Sequence, residues 1–185
     1  MMLENLTISS EQFWTSAALS ALIDALFVFF LTRLVKPARF RQLRWTLVGT
    51  AAALWSIFSI VLVWAFWDSY YQHFFPDWFR FGEILLYVPL LYGFFALAFH
   101  WLALRLPGNP LVTFCLLGGV ESLLEHIGGI YAFRILEIPA LRDASPISIL
   151  AFSFPEYILY WCVVISLAAL LHTGWRVMTR KPGAA

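Results

Sequence analysis

The sequence predicts an all-α integral membrane protein: one transmembrane domain over residues 1–185, built as a bundle of five helices. Three observations predict it. Of the 185 residues, 62% are hydrophobic and only 12% charged, and mean hydropathy is +0.80. That composition excludes a soluble domain and a disordered chain alike. Apolar runs recur at the length of roughly 20 residues that a bilayer demands. The charges between those runs segregate by side, as they do around membrane helices.

The spans fall at roughly 13–35, 45–67, 81–104, 111–136 and 147–172. Ser10 is a plausible N-cap for the first, which carries one acid, Asp24, near mid-depth. The stretch 32–44 follows, with Arg33, Lys36, Arg39, Arg41 and Arg44. It reads as a positive-inside signal, with anionic lipid head groups as an alternative partner. The second span has no charge and ends at Asp68, before an aromatic loop containing His73, Pro76 and Asp77. Glu83 opens the third span, where Pro89 is expected to kink the helix and free a carbonyl. The turn LPGNP (106–110) makes spans three and four antiparallel neighbours. Ser145 and Pro146 read as the N-cap and first residue of span five.

Orientation follows from the basic residues. The stretch 32–44, the turn at Arg105 and the tail with Arg176, Arg180 and Lys181 hold nine of the twelve lysines and arginines, and no acid. The N-terminus is therefore expected outside or in the lumen and the C-terminus in the cytoplasm, in a bacterial inner membrane or an ER-type membrane. Residues 1–12 lack a basic n-region, so no cleavable signal is expected. Net charge of +1 points to no nucleic-acid partner. Cys115 and Cys162 both lie in apolar runs, which suggests neither a disulfide framework nor a CxxC metal site.

Span four contains the stretch on which the functional reading turns, GGVESLLEHIGGIY (118–131). Ionisable groups in hydrocarbon are costly and usually mark a functional site. On an α-helix Glu121 and Glu125 share a face, with His126 about 100° round from Glu125. Gly118, Ser122, Glu125, Gly129 and Ala132 form a stripe that lets a neighbouring helix approach. By depth, Glu156 of span five and Asp24 of span one fall in the same layer. No lysine or arginine does.

Carboxylates without counter-ions must be protonated, metal-bound or paired with a cation. The leading expectation is acid–base chemistry on a lipophile. One carboxylic acid protonates an alkene, a second carboxylate removes a proton, and aromatic faces stabilise the cation between. Glu121 and Glu125 are then the acid/base pair, His126 the relay, and Glu156 a further acid. The alternatives are a metal site made by Glu121, Glu125, Glu156 and His126, a proton or cation pathway in a non-enzymatic transport or accessory subunit, and a purely structural network. Expected partners are a lipophilic small molecule, membrane lipids and further copies or subunits of a larger membrane complex; no cofactor motif is present.

One stretch carries a family resemblance. DWFRFGEILLYVP (77–89), with Trp78, Phe79, Arg80, Glu83 and Pro89 in that order, resembles the Glu-containing span of the EXPERA family of membrane lipid-binding proteins and sterol isomerases. Phe154, Pro155 and Tyr157 before Trp161 look like its last span, and Asp68 like the acid that ends an earlier one. Span two carries Trp55, Ser56 and Ser59 where the isomerase branch places His and Glu. The resemblance implies a pocket for a sterol- or isoprenoid-like ligand, with Glu83 and Asp68 as pocket acids. Tyr87, Tyr157 and Trp161 are expected to complete its wall.

Overall fold

Proline, glycine and short polar residues decide where the apolar runs break into helices. In the computed structural model the residues described are 18, 22, 25–67, 72–73, 80–81, 84–85, 87–134, 136–137 and 145–179. Helix α1 covers Ala25–Leu34, and α2 is the single turn Pro37–Phe40. Helix α3 covers Trp45–Trp67, and α4 Tyr87–Ala103. Helix α5 covers Pro110–Ser122 and runs on without a break as a π-helix, Leu123–Ala132. Helix α6, Pro146–Thr179, is the longest at 34 residues. Four two-residue strands complete the described fold. Gln72–His73 (β1) pairs antiparallel with Leu136–Glu137 (β4), and Arg80–Phe81 (β2) with Ile84–Leu85 (β3).

The helix starts follow from local chemistry. Gly108 takes φ +105°, which only glycine adopts readily, and turns the chain between α4 and α5. Asn109 then caps α5, its side chain accepting the Leu111 amide at 3.0 Å, with Pro110 where no amide is needed. Ser145 does the same for α6, accepting the Ser148 amide at 3.2 Å ahead of Pro146.

Two expectations about the chain path are corrected. Pro89 does not kink a span at its middle. The helix begins at Tyr87, so Pro89 sits in its first turn, where amides have no intrahelical acceptor to lose. The basic stretch is not merely a loop either. Pro37 starts the turn α2, and Phe40 at its end is fully buried, its ring 5.1 Å from His100 and 5.8 Å from Phe114.

Helix α3 packs against α4 and α6, and α5 against α6 and α4. Gly49 and Gly93 bring α3 and α4 close. A Cβ on Gly49 would meet Leu97 at 3.2 Å, and one on Gly93 the Gly49 carbonyl at 3.7 Å. The core runs through Val48, Ala51 and Ala52 of α3, Ala96 and Phe99 of α4, Phe114 of α5, and Trp161, Ile165 and Ala168 of α6. Cys115 and Cys162 are free thiols that meet across α5 and α6, Sγ to Sγ 3.6 Å.

Outward faces are apolar too. Leu34, Leu90, Phe94, Leu124, Ile147 and Leu170 are all exposed, so these helices are hydrophobic all round rather than amphipathic. Among the described residues, Pro110–Ala132 and Pro146–Arg176 are long and apolar enough to cross a membrane. Ala25–Leu34, Trp45–Ser59 and Val88–Ala103 are shorter apolar stretches.

Candidate functional site

The site forms where α5 changes its winding. From Leu123 the chain adopts the i→i+5 pattern, and the Phe133 amide donates to the Gly128 carbonyl at 2.8 Å. A regular α-helix would have continued i→i+4. Wide π turns are rare and concentrate at functional sites. The wider turn has a geometric effect. Residues four and five positions along both come round toward the starting face, so Glu125 and His126 both lie on the side of Glu121. Glu121 and His126 are each 1% exposed, whereas Glu125 is partly exposed.

Glu121 is held from α6. Its Oε2 accepts the Trp161 indole N–H at 2.8 Å, while its Oε1 is buried with no hydrogen-bond partner among the described residues. Trp161 reaches it because position 118 has no side chain. A Cβ there would lie 1.8 Å from Trp161 Cδ1, so the indole lies directly on the Gly118 backbone. Beside it, a Cβ on Gly119 would meet Phe154 at 2.9 Å and Ile158 at 3.0 Å. The glycine pair is the notch that admits α6.

Glu125 is held by two tyrosines from different helices. Tyr92 of α4 donates to Glu125 Oε2 at 2.8 Å, and Tyr157 of α6 donates a short bond to the same oxygen. The two hydroxyls are themselves 3.0 Å apart. Three oxygens thus make a closed ring of three contacts. With both phenols donating to Oε2 the hydroxyl–hydroxyl contact carries no proton; a protonated Glu125 would fill it by donating to one tyrosine, which then donates to the other.

Aromatic faces surround these groups. Tyr92 stacks on Trp161 with centroids 6.0 Å apart and tilts against Tyr160 at 4.9 Å. The His126 ring meets the Tyr157 ring edge-on at 5.2 Å. Phe99 and Phe114 close on Trp161 at 5.1 and 5.4 Å. Among the described residues the buried polar side chains include no lysine or arginine.

The structure brings together Glu121, Glu125, His126, Tyr157 and Trp161. Glu156 is set about 100° round from their face of α6. Tyr157 and Trp161 lie four apart on the inner face of α6, and Glu156, one position before Tyr157, is exposed. Depth along the helix was matched and direction around it was not. The metal alternative weakens with it, since no group of three His, Cys, Asp or Glu that could hold an ion occurs among the described residues. Asp24, Asp68 and Glu83 lie outside the described residues, and of Tyr87 only its place at the start of α4 is described. The sequence reading passed over Tyr92. A signal was available: a lone hydroxyl in the run LLYGFFALAF (90–99) must find a partner once buried. Neither the protein-family models, nor the curated proteins, nor the solved structures contain a match to this chain.

Proposed function

We propose that the chain is a five-span membrane protein, N-terminus outside or lumenal, that binds a sterol- or isoprenoid-like lipophile beside Glu125 and transfers protons on it. The observation that carries this reading is the Glu125–Tyr92–Tyr157 ring. It can hold and deliver one proton, it is partly exposed, and apolar surface flanks it at Val120 and Leu124. An alkene approaching from the bilayer meets Glu125 first. Protonation at one carbon makes a cation that the neighbouring tyrosine rings stabilise. Loss of a proton from an adjacent carbon to a carboxylate oxygen restores the double bond at a new position. Glu125, left unprotonated by the first transfer and partly exposed, suits that acceptor role, whereas Glu121 is enclosed. His126, edge-on to Tyr157, positions the tyrosine.

The five-span arrangement draws on the 23-residue α3, the shorter apolar stretches in α1 and α4, and the sidedness of the arginines. The acid–base part of the reading rests on the described residues; the sterol- or isoprenoid-like class of ligand is what the EXPERA resemblance implies, and the two acids of that resemblance lie outside the described residues.

Native mass spectrometry of gently solubilised protein tests it. The expected result is a retained lipophile of a few hundred daltons, lost in Glu125→Gln and in the Tyr92→Phe/Tyr157→Phe double variant. A bare chain mass, or a ligand retained equally by all three proteins, would sink the proposal. Retention of an ion in place of a lipophile would favour the accessory or transport reading.

A further inference from the structure

At the end of the bundle away from the carboxylates, three arginines converge on one histidine. His172 lies three turns along α6 from Trp161. It is 6% exposed, and both ring nitrogens are enclosed without a hydrogen-bond partner among the described residues. Arg39, from α2, donates to Thr173 Oγ1. Arg44, just before α3, lies over the Trp175 ring at 5.7 Å. Arg176 stands one turn beyond His172 on the same helix. Arg39, Arg44 and Arg176 thus gather around residues 172–176 of α6.

Among the described residues no carboxylate faces this cluster. Guanidiniums gathered at one helix end from separate elements repel one another. One anion between them offsets that cost. Guanidinium forks match the oxygens of a phosphate. A diffuse positive-inside signal needs neither convergence nor a buried imidazole. Arg33 and Arg105 show the contrast. Arg33 lies over Phe29 of its own helix at 5.1 Å, and Arg105, just past α4, lies over Trp101 of that helix at 4.0 Å.

We infer that Arg39, Arg44 and Arg176, closed from below by His172, form a binding site for a phosphate group, carried by a lipid head group or by a free phosphate or diphosphate. The site is independent of the chemistry proposed at Glu125.

Delipidated protein in neutral detergent, titrated with phosphatidylglycerol and with phosphatidylcholine of the same acyl chains and read by native mass spectrometry, tests this. Phosphatidylglycerol should bind and phosphatidylcholine should bind more weakly. Arg39→Gln/Arg44→Gln/Arg176→Gln should weaken the anionic lipid by about a hundredfold, at roughly fivefold per arginine. The control Arg33→Gln/Lys36→Gln/Arg105→Gln removes equal charge and should change it less than about threefold. Inorganic pyrophosphate identifies the source. Displacement of the lipid at millimolar concentration assigns the site to the phosphate itself, and retention of the lipid assigns it to the whole head group. Equal losses in the two triple variants, or no preference between the lipids, would overturn the proposal. So would lipid and pyrophosphate both failing to bind a wild-type protein that elutes as a single species.

Discussion

The two halves of the fourth apolar run differ although one helix carries both. From Pro110 to Ser122 the winding is α and the contact with α6 is tight. Trp161 lies on Gly118, Phe154 and Ile158 close on Gly119, and Cys115 meets Cys162. From Leu123 to Ala132 the winding is π and the contact is looser. A Cβ on Gly128 would find only ordinary contact with Phe133 at 3.7 Å, and Glu125 is partly exposed. The first half anchors a carboxylate where nothing can reach it. The second presents one that a ligand can reach. The difference teaches how a bundle can be both firmly packed and chemically accessible within four residues, through a change of helical period rather than a gap between helices.

Substitutions that attack this contrast should differ in size. Gly118→Leu is expected to have the largest effect, since even a Cβ collides with the indole. The overpacking should cost about 3 kcal/mol or more and abolish a cooperative thermal transition in detergent. Trp161→Phe keeps most of the packing but removes the indole donor to Glu121, leaving a buried carboxyl with no donor among the described residues. A loss of about 2 kcal/mol is expected in reversible denaturation. Tyr92→Phe and Tyr157→Phe should each cost only about 0.6 kcal/mol, because either change leaves Glu125 Oε2 the other tyrosine as donor. Their effect should appear in ligand retention instead. Gly128→Ala should be smallest, within about 1 kcal/mol of wild type. If Gly118→Leu and Gly128→Ala proved equally mild, the contrast between the halves would be gone.

Much of this site was legible in the sequence because hydrocarbon makes polar residues conspicuous. Glu121, Glu125 and His126 stand out in an apolar run, and the flanking glycines announce a close helix contact. Proline and serine marked the starts of α5 and α6 for a similar reason: their backbone preferences act locally. What escaped the sequence was direction around the helix axis. Nothing in LLEHIGGIYA signals a π winding, because the choice between i→i+4 and i→i+5 depends on what the turn packs against. A reading by depth alone likewise grouped Glu156 with the cluster, since one residue along α6 changes depth by only about 1.5 Å but direction by about 100°. Tyr92 is inconspicuous in an apolar run because a phenol carries no charge. Phe40 escaped because a basic stretch conceals one apolar anchor well.

The notch at Gly118 also ties the history of two positions together. An indole at 161 and a bare backbone at 118 occupy one volume between them, so neither can vary alone. A lineage that placed even alanine at 118 would have to shrink residue 161 in the same step, and would lose the donor to Glu121 by doing so. Sequences descended from a common ancestor with this chain should therefore show glycine at 118 and tryptophan at 161 kept or exchanged as a pair, with the acid at 121 following the tryptophan.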